Sequence, residues 1–276
     1  MKVLKQVFNF YINSSIHVAL SVLSLTATTY MEFGVLYDKG LLFFVFFATI
    51  TGYNFVKFFG LAKFHHRSLA NWLKAIQYFS FVSFLLMCYY AFKLSFTALI
   101  CVSGLAGITF FYAIPYLPKR FIIKINNLRT IEGLKVYVIA LVWMGVTVIF
   151  PLINSDYIFN ADVFLVSFQR FVFIIVLMLP FEIRDLRYDS LKLATIPQRI
   201  GVRQTKVIGV VLLLFIVLLE FFKKEFDITN LEVVTVIALL TGWFLIRAKK
   251  DQNKYYSSFW VEGVPIFWLL LVFVFS

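Results

Sequence analysis

Between Pro180 and Lys206 the chain reads PFEIRDLRYDSLKLATIPQRIGVRQTK, with Glu182, Asp185 and Asp189 interleaved with Arg184 and Arg187. A helix turns by about 100° per residue, so offsets of three and seven set the three carboxylates within about 60° of one another. Converging negative charges repel unless a cation lies between them. Mg²⁺, which takes carboxylate and phosphate oxygens, suits such a face. The competing reading is that each acid pairs with a neighbouring arginine in a solvated loop.

Basic residues gather in two other stretches. TGYNFVKFFGLAKFHHRSLANW brings Lys57, Lys63 and Arg67 together with His65 and His66. The cations suit phosphate oxygens, Arg by bidentate hydrogen bonds and Lys as a point charge, and they equally suit lipid head groups. The adjacent histidines point about 100° apart on a helix, so one alone could join any site. In FYAIPYLPKRFIIKINNLRT, Pro115 and Pro118 end a helix after Tyr112, and Lys119 and Arg120 follow at once. That pair either faces phosphate or snorkels at a membrane surface. Lys135, Arg170 and Glu262 fall inside apolar runs, where ionisable groups are costly and mark functional candidates. Lys135 is near the end of its run and can snorkel. Glu262, beside Gly263 and Pro265, is deep enough to meet Arg170. Glu32 and Glu220 sit near run ends and read as solvated. The chain carries no nucleophile elbow, glycine-rich phosphate loop, zinc pattern or dinucleotide fingerprint.

The elements that must hold these groups are membrane spans. The sequence is 62% hydrophobic and 14% charged, with a mean hydropathy of +0.89; soluble domains hold about 45–50% apolar and about 25% charged residues. Runs long enough to cross a bilayer cover Ser15–Leu36, Leu41–Phe59, Leu73–Phe92, Phe96–Ile114, Gly133–Ile153, Val163–Phe181, Lys206–Phe222, Leu231–Ile246 and Tyr255–Phe275. The fold class is therefore all-α: a polytopic bundle of nine transmembrane helices capped by loops, forming one domain over residues 1–276. The basic N-terminus reads as the start of the first span and not as a removed signal. The long gaps after spans two and six hint at two four-helix halves plus a final helix.

Basic residues crowd alternate gaps, whereas the opposite gaps hold only Lys39, Lys93, Lys223 and Lys224. By the positive-inside rule the N-terminus is cytoplasmic and the C-terminus outside, in an inner or plasma membrane. The net charge of +12 is thus orientation and lipid contact, and nucleic acid is not a partner. Cys88 and Cys101 lie in apolar runs without ligand spacing.

Acids on a basic rim above an apolar bundle suit a lipid whose diphosphate binds metal while an isoprenoid tail enters the membrane. Aromatic faces would suit a developing allylic cation. In these residues the chain resembles the UbiA-type intramembrane prenyltransferases along nearly its whole length. That family has nine transmembrane helices, two Asp-rich motifs after helices two and six, and Mg²⁺ bridging them to a prenyl diphosphate. Glu182, Asp185 and Asp189 match its D-x-x-D-x-x-x-D with Glu at the first position; Thr195 and Gly201, and then Tyr112, Lys119 and Arg120, fall where it has similar residues. The resemblance implies metal binding by Glu182, Asp185 and Asp189, catalytic roles for Asp185, Asp189 and Asn54, and diphosphate contacts from Tyr112, Lys119 and Arg120.

The first motif departs from the pattern. It begins at Asn54, but its acidic positions hold Phe55, Phe58 and Ala62, and no acid occurs from Lys39 to Lys119. An Asn carbonyl can ligate a metal but brings no charge. Two readings follow. In one, Lys57, Lys63 and Arg67 neutralise the diphosphate beside a single Mg²⁺, and the protein transfers a prenyl group to an aromatic or other lipid-soluble acceptor. In the other, catalysis is lost and the bundle binds a lipid or isoprenoid. A transporter is disfavoured by the lack of paired broken helices in the sequence.

Overall fold

A computed structural model describes residues 2–58, 71–113, 133–187 and 194–275. The chain builds α1 (Lys2–Asn13), α2 (Ile16–Glu32), α3 (Lys39–Phe58), α4 (Asn71–Ala91) and α5 (Phe96–Ala113). α6 (Leu134–Met144) runs through a π-helical turn (Gly145–Ile149) into α7 (Phe150–Asn154). There follow α8 (Ala161–Asp185), α9 (Ile196–Leu219), α10 (Ile228–Arg247), a second π-helical turn (Tyr256–Val261) and α11 (Val264–Phe275). Among the described residues seven helical stretches are long and apolar enough to cross a membrane. α1 and α2 together make an eighth, bent by 53°, and Phe96–Tyr112 is a shorter apolar helix. Each expected span coincides with one of these elements, and the protein is an integral membrane protein.

In lipid, helices associate through close packing and polar contacts and not through the hydrophobic effect. α8 is the axis: 72% of its apolar window is buried, and it packs on α6, α9 and α10. α2 lies beside α3 and α11, and α10 touches α11, which closes the ring. The hydroxyls buried along α2 are satisfied within the helix: Thr26, Thr28 and Thr29 donate to the carbonyls of Val22, Ser24 and Leu25 at 2.9, 2.9 and 3.2 Å. Thr29 also reaches the Thr147 carbonyl at 2.7 Å, tying α2 to the π-helical turn after α6. A Cβ on Gly209 would lie 2.2 Å from Leu245 and 2.9 Å from Leu179, so this glycine sets how closely α9 approaches α8 and α10.

Two expectations need correction here. The N-terminus does not simply begin the first span: α1 is a separate helix, set off by Ser15 in the left-handed region (φ 64°). Its Val3, Leu4 and Val7 are exposed while Phe8 packs on Tyr255 and Phe259, at 5.0 and 5.2 Å between ring centroids. This two-faced pattern merges with the following apolar run in the sequence.

The second correction concerns Glu32 and Glu220, which are not solvated. With Arg170 and Lys223 they form a largely buried charge cluster at the end of the bundle where α2 stops and α8 starts. Lys223 Nζ lies 2.6 Å from Glu32 and 2.9 Å from Glu220. Arg170, 1% exposed, lies 3.8 Å from Glu32, donates to the Leu25 carbonyl at 3.3 Å and stacks over Trp268 at 4.9 Å. Gln169 donates to Glu220 at 2.8 Å. Burial acts to lower the Lys223 pKa, but the two carboxylates outweigh it and the pKa is raised. Arg170 therefore meets Glu32 and not Glu262.

Removing one member of such a cluster strands its partners in a medium that solvates them poorly. Arg170→Met is expected to cost about 3 kcal/mol of stability, measured by thermal unfolding in detergent. The double variant Arg170→Met/Glu32→Gln, which removes one charge of each sign, should recover most of that loss.

Candidate functional site

The groups singled out for chemistry lie at the opposite end of the bundle, at the C-terminal turns of α3 and α8. On α8, Glu182 and Asp185 are one helical turn apart and share one cation: Lys135 Nζ, from the first turn of α6, lies 2.9 Å from Glu182 and 3.7 Å from Asp185. Glu182 is 1% exposed, while Asp185 and Lys135 are partly open. Arg184 donates to Asp185 at 2.8 Å and lies over the Phe181 ring. Arg187 pairs with Asp251 in the loop after α10. The sequence offsets thus do bring Glu182 and Asp185 to one side of the helix. Lys135 is no snorkelling side chain but their partner.

A bridging ammonium marks a place where positive charge is stable, and two carboxylates make a hard, oxygen-only donor set. Both features fit Mg²⁺, with Lys135 as its competitor. Among the described residues no group of three His, Cys, Asp or Glu side chains converges as a metal site. Asp189, the third acid expected there, lies outside the described residues, as do Lys63, Arg67, Lys119 and Arg120.

On α3, Asn54 is 3% exposed and its amide ties three elements together. Nδ2 donates to the Ser14 carbonyl at 3.0 Å and to Ser80 Oγ on α4 at 2.8 Å. Oδ1 accepts from Ser15 Oγ at 2.8 Å. Lys57, one turn on, donates to the same Ser15 Oγ at 2.8 Å. The left-handed residue that bends α1 away from α2 thereby also fixes Asn54 and Lys57 of α3. Tyr112, at the end of α5, is 8% exposed.

The last span supplies Glu262, which does not meet Arg170. Its helix is widened over Tyr256–Val261 and turns at Glu262–Gly263 before Pro265. Neighbouring side chains reach carbonyls of this segment: His17 Nε2 lies 2.8 Å from the Phe259 carbonyl, which also accepts from the Gly263 N–H at 2.9 Å, and Ser21 Oγ donates to the Glu262 carbonyl. A carbonyl can only accept, so His17 Nε2 carries a proton, and Nδ1 lies 2.7 Å from the Tyr11 hydroxyl. So held, Glu262 is half-buried within the last span. Tyr53 accepts from Trp143 Nε1 at 2.8 Å. The sequence signal was Glu262 beside Gly263 and Pro265.

Two cavities, of about 590 and 430 Å³, lie elsewhere. The larger is lined by the α2–α3 connection together with Asn154 and Ser155, and the smaller by residues that include Glu32, Asp227 and Trp268. Both are at the end of the arginine cluster, away from Glu182, so neither is the chamber expected beneath the acids.

No protein-family model matches the sequence, and no curated protein matches it in sequence. Solved structures do match. One, from work on a digeranylgeranylglyceryl phosphate synthase in membranes, has a TM-score of 0.55 at 15% identity and covers 98% of each chain. Another, a UbiA homolog from Archaeoglobus fulgidus, has a TM-score of 0.50 at 11% identity over 100% of this chain and 99% of that one. With both chains matched end to end, the protein has the UbiA-type fold.

Proposed function

We propose that the protein is a membrane prenyltransferase that moves an isoprenoid group from a prenyl diphosphate to a lipid-soluble acceptor, with one Mg²⁺ held by the acidic turn of α8. The observation that carries this reading is the pairing of Glu182 and Asp185, one turn apart on α8, with the single cation Lys135. Two acids on one face hold positive charge at the end of the bundle where the sequence leads one to expect a diphosphate. The UbiA-type fold supports the same chemistry.

In this reading Glu182 and Asp185, joined by Asp189, hold the ion, which would supply charge neutralisation for the departing diphosphate. Lys57, anchored on Ser15, places a fixed positive charge beside the same phosphates. Lys63, Arg67, Lys119, Arg120 and Tyr112 complete the phosphate-facing rim. The allylic C–O bond breaks with its electron pair leaving on diphosphate, and the acceptor's nucleophile bonds to the allylic carbon. Asn54 serves by holding the α1–α2 bend against α3 and α4, which positions Lys57. The basic end of the bundle faces the cytoplasm, in keeping with the charge asymmetry of the connecting segments.

A second reading, a lipid- or isoprenoid-binding protein without turnover, draws on Lys135, which already neutralises the acids of α8. Diphosphate release separates the two. Purified protein given geranylgeranyl diphosphate, Mg²⁺ and an aromatic acceptor should release diphosphate, and Asp185→Asn should reduce release at least about a hundredfold. Binding without release supports the second reading.

Lys135→Met tests the metal-binding face without an activity assay. It leaves a buried carboxylate without its cation and should lower stability by about 2–3 kcal/mol in metal-free buffer. Millimolar Mg²⁺ should restore the loss in this variant and change the parent little. Orientation is checked by labelling single cysteines: one at Asn253 should react only in permeabilised cells, and one at Asp156 in intact cells.

A further inference from the structure

α1 is held along only part of its length. From Phe8 onward it is packed: Phe8 lies on Tyr255 and Phe259, Phe10 meets Phe79 of α4 edge-on at 5.7 Å between ring centroids, and Asn9 Oδ1 accepts from the Tyr255 hydroxyl at 2.7 Å. The first turns are open, with Val3, Leu4 and Val7 exposed by 70, 77 and 60%. A helix turns by about 100° per residue, so these three side chains share an arc of about 100°. Lys5 and Gln6, also exposed, occupy the opposite side. The helix is therefore amphipathic, and among the described residues nothing covers its apolar face.

Continuity with the membrane-spanning helix that follows says what does cover it. α2 has 17 residues. At about 1.5 Å each it runs about 25 Å, close to the roughly 30 Å of a hydrocarbon core. Its last residue joins the Glu32 cluster at one end of the bundle, so Ser15 lies near the other boundary of the bilayer. From there α1 departs from the line of α2 by 53°. Lys254 and Tyr255, which both donate to Asn9, are residue types that collect at that boundary. A helix standing in water would leave three aliphatic side chains solvated, and a helix prolonging the span would draw Lys5 and Gln6 into hydrocarbon. Along the boundary both sides are satisfied, with Val3, Leu4 and Val7 among the upper acyl chains and Lys5 level with the phosphates.

We propose that α1 is an interfacial helix whose exposed apolar face beds into the boundary between head groups and acyl chains of the bilayer that the other helices cross. Its seat bears on the candidate site, because the bend between α1 and α2 carries the Ser14 carbonyl and the Ser15 hydroxyl that hold Asn54 and Lys57. The lipid surface supports that bend from one side and α3 from the other.

The test is fluorescence quenching of the full-length protein in phospholipid nanodiscs that hold a single copy. Leu4→Cys, Gln6→Cys and Val7→Cys are made one at a time in a Cys88→Ser/Cys101→Ser background and labelled with an environment-sensitive dye. If that background does not fold, the same substitutions are read in the parent after subtracting the signal of its own two cysteines. The quenchers are iodide in the water and lipids with a nitroxide near the top of the acyl chain or at its end. The ratio of shallow-nitroxide to iodide quenching should be about threefold higher at Leu4 and Val7 than at Gln6, and the shallow nitroxide should exceed the deep one at both apolar positions. Equal ratios at all three positions overturn the inference and put the helix in water. Stronger quenching by the deep nitroxide overturns it and makes α1 part of the span. Protection of Leu4 and Val7 from every quencher also overturns it, since the face is then covered by protein.

Discussion

Charge in an apolar bundle must be matched by charge, and the placement of ionisable groups follows from that constraint. Coulomb interactions strengthen as solvent is excluded, and an unpartnered ion in a span is the most expensive error a membrane protein can contain. The chain meets this at two ends. At one, Glu32, Glu220, Arg170 and Lys223 cancel one another in a closed cluster around Trp268. At the other, Lys135, Glu182, Asp185 and Arg184 are linked across α6 and α8. The first arrangement is closed and holds helices. In the second, Asp185, Arg184 and Lys135 are partly open to their surroundings.

Local backbone devices shape that same end of the bundle. Ser15 in the left-handed region bends α1 from α2 and turns a hydroxyl toward both Asn54 and Lys57. The turn after the π-helical segment presents the Glu262 carbonyl to Ser21, while His17 reaches the Phe259 carbonyl. Each device costs helical regularity in one element and gains a polar contact between two, and cross-helix contacts are what hold a bundle together in lipid.

The architecture was legible in the sequence because bilayer thickness imposes run length, and hydropathy reports run length directly. Glu182 and Asp185 could be placed together because an offset of three on a helix is geometry and needs no tertiary information. What lay hidden required knowing which helix ends meet. Glu32 and Glu220 read as solvated because each alone ends an apolar run, and only the convergence of α2, α8 and α9 buries them. Lys135 read as snorkelling because its partners lie on α8. Glu262 was recognised as costly and deep enough to meet Arg170, but whether it does was not legible, since depth along a helix can be read and azimuth around the bundle cannot. α1 was absorbed into the first span because an amphipathic helix adjoining an apolar run leaves no break in hydropathy.

The central claim is that Lys57 of α3 and the acidic turn of α8 serve one diphosphate site. A structure of the protein with geranylgeranyl thiodiphosphate and Mg²⁺ tests it most directly. The account predicts phosphate oxygens at Lys57 and Arg184, a metal ion on Glu182 and Asp185, and the isoprenoid chain running into the bundle. An analogue bound in one of the far-end cavities, or phosphates contacting lipid-facing side chains away from Lys57 and the acidic turn, would contradict it.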